Sequence, residues 1–355
     1  MHKPRVLFIL KLRQTSSGEG YTLLKNSGLK NSATFVNQML IDSGYESKLV
    51  QVVDNNCIDR EVKSFKPEIG IIEALWVVPE KFEVLTKLYP KVKWIIRLHS
   101  DLPFLANEGI ALEWIVKSVK YKNVFVSANS DSVQRDLKKY LAAIPGGKYD
   151  QKIVFLPNYY KLDCKKLMPY QSTCSNIINV GCFGAIRPMK NHLVQAAAAV
   201  EYAESKNLKC RFHINGGRVE GLGAPVLKNL RSFFDGLGDK HELVEHGWLE
   251  KEDFMKLIDT MNFGMQVSFS ETFNIVTADF VNQNVPIVTS KEVDWMPLIF
   301  TTDPTNTASV IRGIKRILFF HKWFNFIDIS RLKLQSYARR SKLIWLANLP
   351  KVYYT

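Results

Sequence analysis

The sequence predicts an α/β protein with two doubly wound, Rossmann-like domains and a helical tail. Three observations predict it. Short apolar, β-rich runs alternate with amphipathic helical patterns. The alternation stops at the polar stretch KLDCKKLMPYQSTCSN (Lys161–Asn176) and then starts again. Residues 309–347 read as basic, aromatic helix throughout. At 355 residues the chain also exceeds the usual span of one domain.

The first half offers strands at Val6–Leu10, Ser47–Val53, Ile69–Glu73, Trp94–Leu98, Val124–Ala128 and Ile153–Leu156. Amphipathic segments such as Ala33–Asp42, with Asn31 or Ser32 as N-cap, lie between them. Strands separated by helices make βαβ units and a parallel sheet. After the linker, strands are expected at Ile177–Gly181, Lys209–Gly216, Glu242–His246, Gly264–Val267 and Val285–Thr289. Helices are expected at His192–Ser205, Val226–Leu237, Lys251–Met261 and Ile275–Asn282. The predicted domains are 1–165 and 176–308, followed by helices 309–355. Two such sheets leave a cleft, and open α/β sheets bind ligands at the carboxyl ends of their strands.

Composition narrows the class. With 46% hydrophobic and 23% charged residues, the chain is globular rather than disordered or fibrous. No apolar run reaches the roughly 18–20 residues that span a bilayer. Val6–Leu10 is too short for a signal segment and runs into Lys11 and Arg13, so it reads as a buried strand. Five cysteines, Cys57, Cys164, Cys174, Cys182 and Cys210, are odd in number and lack paired metal spacing. That pattern predicts a reducing, cytoplasmic setting with no disulfide framework and no zinc. Net charge is +14, unevenly placed. Residues 1–200 hold 28 basic and 17 acidic side chains, residues 201–300 hold 10 and 15, and residues 301–355 hold 10 and 2. The excess fits either a solvated basic surface or attraction to a polyanion.

Two motifs carry chemistry. In NVGCFGAIRPMKNHLVQAAAAV (Asn179–Val200) a strand ends in Gly181 and Gly184, and Arg187 and Lys190 precede a helix. Glycines allow close backbone approach, a helix start offers N–H groups, and the two cations suit a diphosphate. A βα turn with merely solvated cations has the same local pattern. In SFSETFNIVTADF (268–280) Glu271 precedes a helix and Asp279 follows eight residues later. Glu271 alone suits a capping role as well as a ligand role.

Together the motifs resemble the GT-B glycosyltransferases of the large family 4 type. The shared features are the Gly-x-Gly loop with Arg187 and Lys190-Asn191, the His246-Gly247 strand end, Ser-x-Ser-Glu271-x-Phe273, and the acid at plus eight. VFLPNYY (Val154–Tyr160), RLHSD (Arg97–Asp101) and SANSDSVQRDL are similar to N-terminal features of that family. The stretch RLHSDLPFLANEGIALEWI resembles its phage-encoded branch. The resemblance covers the whole chain in outline and residues 177–290 in specific motifs.

It implies an acceptor domain at 1–165, a donor domain at 176–308 and helices 309–355 crossing back to the first domain, with a donor site of Gly184, Arg187, Lys190, Gly247, Trp248, Glu271, Phe273, Asn274, Ile275 and Asp279. The catalytic residues would be His99, Arg187, Lys190 and Glu271. The acceptor side would hold Gly18, Gly20, His99 and Asp101. His192 would add a donor on the diphosphate loop, and His246 would pack beside the base pocket. The chain departs from the family at Asp279, where the family has Glu, at Asn274, where it has Gly, and in lacking a plain double-glycine loop near Gly18 and Gly20.

The sequence contains no Asp-x-Asp, and the resemblance implies retaining transfer from a nucleotide sugar as co-substrate, without a metal or other cofactor. Fixed cations and a helix dipole would stabilise the leaving diphosphate. The expected acceptor is anionic, with a slight lean to hydroxymethylated DNA and a lipid-linked or cell-surface glycan at the cytoplasmic membrane face as the alternative. The tail SVIRGIKRILFFHKWFNF (Ser309–Phe326) sets Arg312, Lys315 and Arg316 opposite Ile311, Ile314, Ile317 and Leu318. It suits a packed helix with a basic face, an interfacial helix, or a phosphate-contacting surface. A non-catalytic binding module is the reading of another class. A dehydrogenase is disfavoured because no G-x-G-x-x-G opens the first sheet. Oligomeric state is left open.

Overall fold

The computed structural model describes residues 2–12, 14–17, 20–23, 28–163, 176–324 and 326–355. The chain divides into two compact units: unit 1 is Met1–Lys161 with Tyr337–Thr355, and unit 2 is Leu162–Ser336.

Unit 1 runs β1 (Val6–Lys11), β2 (Gln14–Ser17), β3 (Gly20–Leu23), α1 (Gly28–Asp42), β4 (Ser47–Val52), α2 (Ile58–Phe65), β5 (Ile69–Glu73) and α3 (Pro79–Leu88). It continues through β6 (Lys93–Arg97), α4 (Leu102–Leu105), α5 (Ala111–Val119), β7 (Val124–Ala128), α6 (Asp131–Ala142) and β8 (Ile153–Phe155). Its six-stranded sheet has the order β4-β1-β5-β6-β7-β8, and every pairing in it is parallel. Side chains alternate across a strand, so β1 feeds two cores. Leu7 and Ile9 join Ile72, Trp94 and Ile96 on one face. Val6 and Phe8 join Ile71, Ile95 and Phe125 on the other, where Trp345 and Leu349 complete the cluster.

Unit 2 runs β9 (Ile177–Gly181), α7 (His192–Glu204), β10 (Lys209–Ile214), α8 (Gly223–Leu237), β11 (Glu242–Glu245) and α9 (Lys251–Asp259). It continues through β12 (Phe263–Gln266), α10 (Ile275–Asn282), β13 (Ile287–Ser290), β14 (Thr301–Thr302) and α11 (Thr307–Phe324). The parallel sheet order is β11-β10-β9-β12-β13-β14. Helix α12 (Phe326–Tyr354) begins among the residues of unit 2 and ends among those of unit 1.

Several expectations are corrected. Helix α1 starts at Gly28, so Asn31 and Ser32 lie inside it rather than capping it. The Ser32 hydroxyl instead donates to Asn158 at 2.7 Å, a tertiary partner that local pattern does not contain. The β2–β3 hairpin and β14 were not anticipated. Of the linker Lys161–Asn176, residues 164–175 lie outside the described residues, as does Gly18. Gly20 is the first residue of β3. Cys57, Cys182 and Cys210 are free thiols, and burial pushes Cys182 and Cys210 up to about 12. Cys164 and Cys174 fall outside the described residues. Among the described residues no helix is long and apolar enough to cross a membrane. No group of three or more His, Cys, Asp or Glu side chains among them is placed to hold a metal ion.

Candidate functional site

In unit 2 the candidate residues gather on the loops after β9, β10, β11 and β12. Phe280 of α10 sets their framework. A Cβ on Gly181 would come within 2.8 Å of the Phe280 ring, and one on Gly264 within 2.6 Å. Both glycines therefore leave room for that ring, which seats α10 against β9 and β12. Gly184 differs: its φ of +117° is a conformation that glycine adopts without strain, and the space beside it is open. Its N–H donates to Asn215 Oδ1 at 2.8 Å, so this amide is engaged within the protein.

Arg187 leads into a single turn, Pro188–Lys190, with Lys190 at its end. Buried amides hold that turn. Gln195 donates to Lys190 O at 2.7 Å and accepts from Val267 N–H at 2.8 Å. Phe269 N–H donates to Met189 O at 2.9 Å. The turn and the loop after β12 are thus joined, and Lys190 Nζ donates to Glu271 Oε1 across 81 positions of sequence. Arg187 pairs with Glu220 of the loop after β10.

Glu271 does not cap α10, contrary to one reading of the sequence. Asn274 does, accepting from Thr277 N–H at 2.9 Å with φ 55° and ψ 86°. Asn is among the few non-glycine residues that tolerate this left-handed region, so it serves where the resembled family has Gly. Its amide donates to Gln266 Oε1 at 2.8 Å, and Gln266 donates to Phe183 O at 2.8 Å. One buried chain of bonds therefore links the glycine loop to the head of α10. The first helical N–H groups there, on Ile275 and Val276, have no acceptor within the helix. Phe273 is buried 5.8 Å from the Trp295 ring, and its carbonyl accepts from Trp295 Nε1 at 2.7 Å.

Asp279 is the fifth residue of α10, little more than one turn in, and only 3% exposed. Lys251 of α9 meets it at 3.2 Å. The structure does not bring Asp279 into the Lys190–Glu271 pairing. His192 is buried at the start of α7, and burial, with the Lys190 charge adding, pushes it down to about 3. It is neutral there and 1% exposed. His246 hydrogen-bonds His213 at 2.9 Å with the rings near parallel. Gly247 is exposed, and Trp248 lies under the Arg218 guanidinium at 4.5 Å.

Unit 1 contributes a separate polar cluster at the ends of β5 and β6. His99 Nε2 meets Glu73, which also binds the fully buried Arg97. Asp101 caps α4, accepting from Phe104 N–H at 3.4 Å. Ser130 caps α6, accepting from Val133 N–H at 3.2 Å. Sequence reasoning missed Glu73, Arg218, Glu220, Lys251 and Gln266. The one available signal was an acid ending the all-apolar strand Ile69–Ile72, since a buried carboxylate requires a partner.

Two parallel six-stranded sheets with flanking helices and a closing C-terminal helix define a fold class, GT-B, that glycosyltransferases share. Solved structures with this fold match the chain throughout. The N-terminal domain of Candida albicans trehalose-6-phosphate phosphatase is similar with a TM-score of 0.70 and 11% identity, covering 98% of this chain and 97% of that one. The catalytic domain of starch synthase IV from Arabidopsis thaliana, bound to ADP and acarbose, gives 0.69 at 9% identity and covers 100% of both chains. A UDP-forming α,α-trehalose-phosphate synthase from Burkholderia vietnamiensis gives 0.69 at 10%, covering 99% and 98%. The chain matches no protein-family model and no curated protein.

Proposed function

We propose that the chain is a glycosyltransferase using a nucleotide sugar, retaining and independent of metal, with unit 2 as its donor domain. One observation carries this reading. Arg187 and Lys190 bracket a single turn, and Lys190 meets Glu271 of the loop that opens α10. Two cations for a diphosphate and an acid for sugar hydroxyls are thereby gathered from two distant loops. The starch synthase is bound to ADP and the trehalose-phosphate synthase is UDP-forming, which supports a nucleoside diphosphate as the ligand class.

In this mechanism the bond from the sugar C1 to the phosphate oxygen breaks, and the departing diphosphate takes the negative charge. Arg187, Lys190 and the first N–H groups of α10 are fixed dipoles and charges aimed at it. The acceptor hydroxyl attacks C1 from the face that the diphosphate leaves and gives its proton to that diphosphate. Glu271 orients donor hydroxyls, and Asp279 is assigned to the ribose hydroxyls of the donor. His99 of unit 1 is assigned to the acceptor side.

The test is a thermal-shift panel of nucleoside diphosphates and their sugar conjugates on wild type, Arg187→Ala and Glu271→Ala. A true donor raises the melting temperature of wild type by mass action, and Arg187→Ala loses that rise. If no nucleotide moves any variant, the glycosyltransferase reading loses its central support.

The basic excess of residues 1–200 and of the tail supports an anionic acceptor, with hydroxymethylated DNA as the leading reading. A specific observation favours the cytoplasmic membrane face as the second. The solvent side of α11 carries Arg312, Lys315, Phe319, Lys322 and Trp323, with Phe319 54% and Trp323 63% exposed. Phe300 packs on Phe320 at 5.6 Å, and beside it Leu298 is 79% exposed. Exposed aromatics among lysines, with no acid from Ser309 to Phe324, suit an anionic bilayer surface. Sedimentation with anionic vesicles, lost in Phe319→Ser/Trp323→Ser, supports the membrane reading. Salt-sensitive binding to duplex DNA that this double variant retains supports the DNA reading.

A further inference from the structure

Glu220 stands between two arginines. One of its oxygens accepts from Arg187 Nη2, and the other accepts from Arg218 Nε at 2.6 Å. The contact is built by backbone. Ile186 and Val219 form a parallel bridge, Ile186 N–H donates to Arg218 O at 2.8 Å, and Glu220 N–H donates to Ile186 O at 3.1 Å. That short ladder locks the Arg187 loop to the Arg218–Glu220 loop. The Trp248 ring lies 4.5 Å from the Arg218 guanidinium, which stacks on it.

Two guanidiniums gathered this closely repel each other unless an anion lies between them. Phosphate and carboxylate oxygens are interchangeable partners for guanidinium forks. We propose that Glu220 is an internal stand-in for a ligand phosphate, displaced when a diphosphate binds, and that Arg218 is a third cation of the diphosphate site. The inference rests on the donor-site reading of unit 2. The side chains of Arg187, Glu220 and Arg218 are 24%, 24% and 12% exposed, so an anion reaches the pair without opening the core. The Glu73–Arg97 pair in unit 1 is the contrast, since neither side chain has any exposure and no ligand exchanges with it.

The experiment is isothermal titration of the full chain with inorganic pyrophosphate, UDP, ADP and GDP at fixed ionic strength. Glu220→Gln removes the competing charge and should bind the preferred diphosphate about tenfold tighter than wild type. Arg218→Gln should bind it about tenfold more weakly. Pyrophosphate should follow the same order, because the contact is to phosphate alone. If wild type binds a diphosphate and Glu220→Gln binds it no tighter, this inference falls while the donor site stands. If no diphosphate binds any variant, the donor reading falls and takes this inference with it. Should Glu220→Gln fail to fold, Arg218→Gln decides: weakened binding supports the proposal, and unchanged affinity overturns it.

Discussion

His99 Nε2 lies 2.6 Å from Glu73 Oε2, while Arg97 Nη1 reaches both oxygens of the same carboxylate at 3.0 and 3.2 Å. Arg97 also donates to Ser32 of α1 and Asn158, and it sits 5.3 Å from the Trp345 ring of α12. One buried acid thus ties two strand ends to two helices and orients His99. Burial alone raises the Glu73 carboxyl, but the Arg97 charge and the His99 bond outweigh it and hold it below the ordinary carboxylate range.

Removing Glu73 leaves Arg97 buried without a counter-charge. Glu73→Ala is therefore expected to cost on the order of 3–5 kcal/mol, read as a lower urea midpoint. Glu73→Leu combined with Arg97→Met should recover most of that loss, because the apolar pair needs no desolvated charge. A midpoint unmoved by Glu73→Ala would mean that the pair is not energetically coupled.

The cap of α10 gives a second test. Asn274→Ala loses the bond to Thr277 and also strains a left-handed backbone, so a loss of about 2 kcal/mol is expected. Asn274→Gly keeps the backbone free and loses only a few tenths of a kcal/mol from the cap, plus the bond to Gln266. Thermal denaturation should rank the variants wild type, Gly, Ala. The order Ala above Gly would contradict the cap geometry.

Acid should destabilise unit 2. Burial pushes His213 down to about 4, with the charges of His246 and Arg211 adding and Glu242 opposing. Burial also puts His321 at about 4 and His192, beside Lys190, at about 3. Between about pH 6.5 and 4 the unfolded chain binds protons that these folded histidines refuse, so stability falls as pH falls. Melting temperature measured from neutral pH downward should drop across that window, with a shallower drop in His213→Gln. A flat profile would contradict the burial of these rings.

Lys190 should matter more to turnover than to folding. It is a partly exposed cation at the end of a turn whose backbone bonds do not use its side chain. Lys190→Ala is expected to lower kcat by about 10²-fold, with the urea midpoint nearly unchanged. A lower midpoint with normal kcat would make Lys190 a structural partner of Glu271.

Much of the fold was legible. The strands Ile69–Glu73, Val124–Ala128 and Ile177–Gly181 and the helix Ile275–Asn282 were expected with the boundaries they have. Apolar periodicity is local information, and in a parallel sheet covered on both faces it marks strands and helices directly. The hairpin β2–β3 and the two-residue β14 escaped because so few residues carry no period.

The sequence by itself determined the two parallel sheets, the basic turn holding Arg187 and Lys190, and the acid Glu271 ahead of a helix. Only the tertiary structure decided what these side chains meet. Glu220 reaches Arg187 because the Ile186–Val219 bridge sets one loop beside another. Asp279 is buried against Lys251 because Phe280 seats α10 over Gly181 and Gly264, and Asn274 rather than Glu271 takes the cap. The physical reason is range. Periodicity and propensity act over a few residues, whereas the Arg187–Glu220 and Lys251–Asp279 contacts join segments 33 and 28 positions apart, whose register is set by the packing of the whole domain.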